Sequence, residues 1–194
     1  MNNDKISLHT FNGLQIQTGD LLCMTDGSPE ILAGEYWRLL GKLIPGAIDH
    51  VVIYVGPGGR CIEANGKGVM AFEMPGDTWD SIPLKSERGQ LIDSLYGVAY
   101  PLKDKGFSRQ VEEAIRIGVA DYCEFQARAR KPYNISFMNS DTEDSFYCSQ
   151  LAYRAYLGYG IDFNTGLGVP NLPGTEKIVF PQEIWESCLH VRVE

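Results

Sequence analysis

The stretch DHVVIYVGPGGRCIEANGKGVMAFEM, residues 49–74, constrains the fold more than any other part of the chain. Two runs of β-branched and apolar residues flank the turn Gly56-Pro57-Gly58-Gly59, and a third follows Asn65-Gly66, which predicts a β-meander. Side chains alternate across a strand, so Val51, Ile53 and Val55 form one apolar face. His50 opens the first run as a polar residue at a strand end, where its ring can point into a cleft. Glu63 lies within the second run.

Other elements surround this meander in mixed order, and the predicted class is α+β, an antiparallel sheet packed against helices in one domain spanning 1–194. A short strand over 14–24 is broken by Gly19-Asp20. Ser28 can cap a helix reaching to about residue 44, with Ile31, Leu32, Tyr36, Leu39, Leu40 and Leu43 as its stripe. Ser108 caps a second helix that must stop near Pro132. In SFYCSQLAYRAY (145–156), Cys148, Leu151, Ala152, Ala155 and Tyr156 fall on one helical face, with Ser145 or Asp144 as the expected N-cap. The Gly/Pro-rich loop 158–177 has the length that usually shapes a site, and CLHVRVE closes the chain as a strand.

Composition excludes several classes of partner. The 194 residues carry 17 Lys and Arg against 25 Asp and Glu, so the net charge of −8 offers phosphate backbones and anionic lipid headgroups no general attraction. Nucleic acid is not an expected partner. The longest apolar run, VVIYV, is far below the roughly 20 residues a bilayer span requires, and the N-terminus lacks the pattern of an export signal. Five cysteines, widely spaced and without a C-x-x-C pair, argue against a disulfide framework and a thiolate zinc site. The expectation is free thiols in a reducing, cytoplasmic setting.

The thiols differ in environment. Cys123 shares a helix face with Ile115 and Val119, and Cys23, Cys61 and Cys188 sit in strand patterns, so all four read as interior packing. Cys148 alone lies at a helix start, where backbone N–H groups and the macrodipole favour a thiolate, although the acids DTED at 141–144 oppose it. On these grounds Cys148 is either a nucleophile or the first residue of a buried stripe.

A nucleophilic thiol needs a base, and the histidines are His9, His50 and His190. His9 lies in a polar stretch expected to be mobile and His190 near the other end, so both read as surface residues. The hairpin favours His50. With a two-residue turn Glu63 stands opposite it, and with a four-residue turn Glu63 is diagonal to it, always on one face; an odd loop or a bulge would separate them. Facing and diagonal pairs lie within about 5 and 8 Å at Cβ. Glu63 could then fix the imidazole tautomer and stabilise its protonated form, as the third member of a triad. The alternative is a solvent-exposed cross-strand pair.

In order along the chain, GDLL (19–22), DHVVIYVG (49–56), IEANGKGVM (62–70), KPYNISF (131–137), YCSQLAYRAY (147–156) and FPQEIW (180–185) together resemble the circularly permuted branch of the NlpC/P60 superfamily of papain-like cysteine peptidases. The resemblance covers about Gly19 to Ser187. It implies a papain-like core in which the histidine strand precedes the cysteine helix, with His50, Cys148 and Glu63 at the three catalytic positions and Tyr133 at a tyrosine near the oxyanion. The implied chemistry is amide hydrolysis through a Cys148 thioester, with no metal and no organic cofactor. The implied substrate is a small peptide, of cell-wall type, or an N-acyl amino acid. Asp141, Glu143 and Asp144 could receive a substrate ammonium, or simply be solvated acids near the helix start. Relatives of the permuted fold also resemble acyltransferases of the lecithin:retinol type, so an acyltransferase or a lipid or ester hydrolase with the same triad is an alternative, with the 31–43 stripe and the 158–173 loop lining an acyl channel. A non-catalytic binding module is another.

Overall fold

A computed structural model describes residues 6–25, 45–89 and 91–194. The helix expected over 29–44 lies outside the described residues. The rest is mixed α+β, with an antiparallel six-stranded sheet, a separate two-stranded hairpin and three α-helices. The strands are β1 (Leu8–Phe11), β2 (Leu14–Gln17), β3 (Leu21–Thr25), β4 (His50–Gly56), β5 (Arg60–Asn65), β6 (Gly68–Glu73), β7 (Ser94–Tyr100) and β8 (Leu189–Arg192), and the helices are α1 (Arg109–Arg128), α2 (Cys148–Leu157) and α3 (Pro181–Ser187). β1 and β2 pair with each other; the large sheet runs β6-β5-β4-β3-β7-β8, every neighbour antiparallel.

The meander 50–73 forms as its turn residues dictate, and its alternation divides the interior in two. Val51, Ile53, Val55, Ile62, Ala64 and Val69 face a core completed by Ile115, Val119 and Cys123 of α1 and Leu151, Ala152 and Tyr156 of α2. Val52, Tyr54, Cys61 and Phe72 face the opposite side, where Phe11 and Ile16 of the small hairpin and Trp79 cover them. His50 and Glu63 alternate onto this second face, away from the helices.

Gly19-Asp20 breaks the first strand as expected, and the two halves belong to different sheets. Arg116, on the inner face of α1, donates to Asp20 Oδ1 at 2.8 Å and to the Thr18 carbonyl at 2.9 Å, while the Tyr156 hydroxyl donates to the Gly19 carbonyl at 2.6 Å. The turn thus locks both helices to the sheet. Burying Arg116 is tolerable because it is paired with acceptors rather than left alone.

The stretch carrying His9, expected to be mobile, is instead strand β1. The His9 ring packs 4.4 Å from Phe11 and 5.9 Å from Tyr54, and Nε2 bonds the Gly76 carbonyl at 3.1 Å, so apolar neighbours order a segment that is polar in sequence. No helix among the described residues is long and apolar enough to cross a membrane.

Candidate functional site

The β4–β5 hairpin has the odd loop and the bulge that would each have separated His50 from Glu63, and the two cancel. Three residues, Pro57–Gly59, make the turn, and the register slips by one between Tyr54 and Gly56. Below the slip, Ile53 pairs with Ile62. Continued by one residue, that register sets Glu63 beside Val52 and diagonal to His50. The contact follows: His50 Nε2 donates to Glu63 Oε2 at 2.8 Å.

Cys148 is the first residue of α2, and the N-cap is Tyr147 rather than Ser145 or Asp144. The buried Gln150 side chain explains the shift. Its Oε1 accepts from the Tyr147 N–H at 3.2 Å and from Asn134 Nδ2 at 2.9 Å, while Nε2 donates to the Thr142 and Ser140 carbonyls at 2.9 and 3.3 Å. One amide therefore caps the helix and ties down the loop before it. The first intrahelical bond runs from Leu151 N–H to the Tyr147 carbonyl at 3.0 Å, which leaves the N–H groups at Cys148 directed beyond the helix end, where the dipole favours negative charge.

The thiol approaches from the helix side of the sheet and meets His50 at the strand's end. The β4–β5 ladder begins only at Ile53, so His50 to Val52 lie beyond it. There the His50 ring and the Val51 and Ser149 backbone N–H groups are the neighbours that favour a negative charge on the Cys148 sulfur. Because Nε2 is committed to Glu63, Nδ1 is the nitrogen left for sulfur.

The electrostatics of the three groups are mutually consistent. Burial pushes the Cys148 thiol up, but the charge and hydrogen bond of His50, with the two backbone donors, outweigh it and hold the thiol below its ordinary value. Burial pushes His50 down, but Cys148 and then Glu63 raise it well above the usual imidazole range. Burial pushes Glu63 up, yet Arg88 and His50 bring it down to about 2. The other four cysteines move the opposite way, each raised chiefly by burial, Cys188 to about 12. All five are free thiols. Cys148 is 7% exposed and His50 8%, so the partial exposure expected of a nucleophile is narrow.

Tyr133 forms a bridge with Phe146, two residues before Cys148, and its ring packs 6.2 Å from Phe137. The three acids do not gather at the thiol. Glu143 accepts from Arg154 Nη2 at 2.8 Å on the flank of α2, beside a hollow of about 610 Å³ between Gly118, Tyr122 and Tyr159. Asp144 lies 3.9 Å from Lys131 Nζ, and Asp141 is exposed. None of the three lies in the first turn of the helix, so their opposition to a thiolate is weaker than the sequence suggests.

Sequence reasoning missed Arg88, Asp93 and Asn65. Glu63 Oε1 accepts from Asn65 Nδ2 at 2.8 Å and Arg88 Nε at 3.0 Å, and Oε2 accepts from Arg88 Nη2 at 2.6 Å. His50, Glu63 and Asp93 bring ligand atoms within 4.8 Å of one another, as a metal site would, but the cation between these carboxylates is the Arg88 guanidinium. An isolated arginine in KSERGQ carries no local sign of this role. Asn65 was read only as a turn residue.

No family model, curated protein or solved structure matches this chain.

Proposed function

We propose that this chain is a cysteine hydrolase of the permuted NlpC/P60 type that cleaves an amide bond in a small peptide or N-acyl amino acid. The observation that supports it is the His50–Glu63 hydrogen bond at 2.8 Å beside Cys148, whose thiol sits at a helix N-terminus and is lowered by the His50 charge. The Cys148 thiolate attacks the carbonyl carbon, and the oxyanion accepts from the Cys148 backbone N–H, with Tyr133 as a second donor. His50, already protonated, passes its proton to the departing amine as the tetrahedral intermediate collapses to a thioester. His50 then takes a proton from water, whose oxygen attacks the thioester, and the thiolate leaves to restore the ion pair. Glu63 holds the ring so that one nitrogen always faces sulfur. The five free thiols support a reducing compartment as the place of action.

The experiment is mass spectrometry of adducts trapped on Cys148 from panels of peptide amides and acyl esters. Peptide-derived acyl groups on Cys148 are expected. Acyl-chain adducts alone would replace this reading with a lipid acyltransferase or esterase, and no adduct from either panel would contradict catalysis.

A further inference from the structure

A buried charge cluster of Arg88, Glu63 and Asp93 lies behind His50. Arg88 is fully buried, and besides its two bonds to Glu63 it donates from Nη1 to Asp93 Oδ1 and from Nη2 to Asp93 Oδ2, both at 2.9 Å. Its guanidinium carbon lies 4.6 Å from the centre of the Phe72 ring and 5.1 Å from that of Trp79. Asp93 is itself held, accepting from Trp79 Nε1 at 3.0 Å and, through its backbone N–H, donating to Ser81 Oγ at 3.0 Å. A fork locked between two aromatic faces and two carboxylates has one geometry available.

We infer that Arg88 is a positioning residue of the site: clamped by Asp93, it keeps the Glu63 carboxylate free of a proton and turned toward His50, and so sustains the charge on Cys148. The inference rests on the hydrolase reading of the same triad and adds that the thiolate depends on the segment crossing the far face of the sheet.

Two carboxylates this close in a dry interior would share a proton if the guanidinium were removed. A proton on Glu63 turns an acceptor for His50 Nε2 into a rival donor, and the imidazolium loses its partner. The other polar and titratable groups on and after β5 cannot take over Arg88's role. Cys61, beside it on β5, is held neutral by burial; Asn65 is already bonded to it; and the Lys67 ammonium is committed to the Ser86 and Glu87 carbonyls at 2.6 and 3.0 Å. His50 on β4 and Cys148 on α2 are the groups being set.

The test is a double-mutant cycle on the full chain, read as the pH midpoint of Cys148 alkylation by iodoacetamide. Arg88→Met should raise the midpoint by about one pH unit, a tenfold change in thiolate at fixed pH. In a Glu63→Gln background the same substitution should add almost nothing, because its route is gone. An unchanged midpoint in Arg88→Met, or a full additive shift in the double variant, would overturn the inference, the latter by showing that Arg88 acts on sulfur directly. If Arg88→Met does not fold, Arg88→Lys is read instead: its single ammonium cannot span both carboxylates, so a smaller rise is expected and no rise overturns the inference. These outcomes leave the hydrolase reading intact. A wild-type midpoint near the free-thiol value of about 8.5 would remove that reading and this inference together.

Discussion

His50 Nε2 lies 2.8 Å from Glu63 Oε2 across a strand pair whose odd turn and single bulge compensate each other. Loss of either irregularity alone would move Glu63 to the helix side of the sheet, away from Arg88 and His50. The polar cluster therefore depends on turn geometry several residues away, at Pro57–Gly59.

The thiols should be sharply selective. Only Cys148 is shifted toward the thiolate, and the other four are raised by burial, so brief treatment of the native protein with iodoacetamide at pH 7 should give one adduct, on Cys148. After denaturation without reductant, intact-mass analysis should show all five cysteines labelled. A native adduct on another cysteine would contradict the ranking.

Glu63 predicts a particular acid sensitivity. A carboxylate depressed from 4.5 to about 2 adds stability that is fully present above pH 4.5 and is lost as the pH falls toward 2. The amount is about 3 kcal/mol. Urea unfolding at pH 7, 4.5 and 2.5 should show this decline in the wild type, and Glu63→Gln should flatten that part of the profile while being less stable at pH 7.

His50 should retain its proton where an ordinary histidine loses it. Its raised value means the ring stays charged as the pH passes 6.5, and deprotonates only well above it. In NMR titration the His50 C2 proton should move late, and Cys148→Ser should bring the transition down, since the charge on sulfur is the largest influence raising it.

Gly97 is a packing test of the sheet edge. A Cβ there would meet the Val191 carbonyl and the Trp185 ring, both fixed by the β7–β8 ladder and α3. Gly97→Ala should cost about 1–3 kcal/mol in chemical denaturation, with Cys148 reactivity retained in the folded fraction.

The meander, α1 and the helix begun at Cys148 were legible because each is set by local periodicity and turn chemistry, whereas His50 and Glu63 share a face only because an unforeseen three-residue turn and a bulge cancel. β7 was not, because Gly97 interrupts SLYGVAY where Trp185, 88 residues away in sequence, needs the space. α3 was too short to show a helical period, and β1 is ordered by rings from elsewhere in the chain. The cap of α2 was placed too early because Ser145 and Asp144 are good caps by composition, while the working cap hydrogen bond comes from Gln150 inside the helix. Arg88 and Asp93 were illegible for the same reason: their role exists only once residues 63, 72, 79, 88 and 93 are brought together. Asp141, Glu143 and Asp144 looked like one feature because they are adjacent, and folding sends two of them to different cations.

The central claim is that Cys148 is a thiolate held by His50, and its alkylation rate as a function of pH measures this without any knowledge of the substrate. The account predicts a midpoint well below about 8.5 in the wild type, moved back toward that value by His50→Ala and part of the way by Glu63→Gln. A wild-type Cys148 that titrates as an ordinary thiol in the folded protein, with neither substitution altering its profile, would make it a core cysteine at the start of a helix and contradict the account.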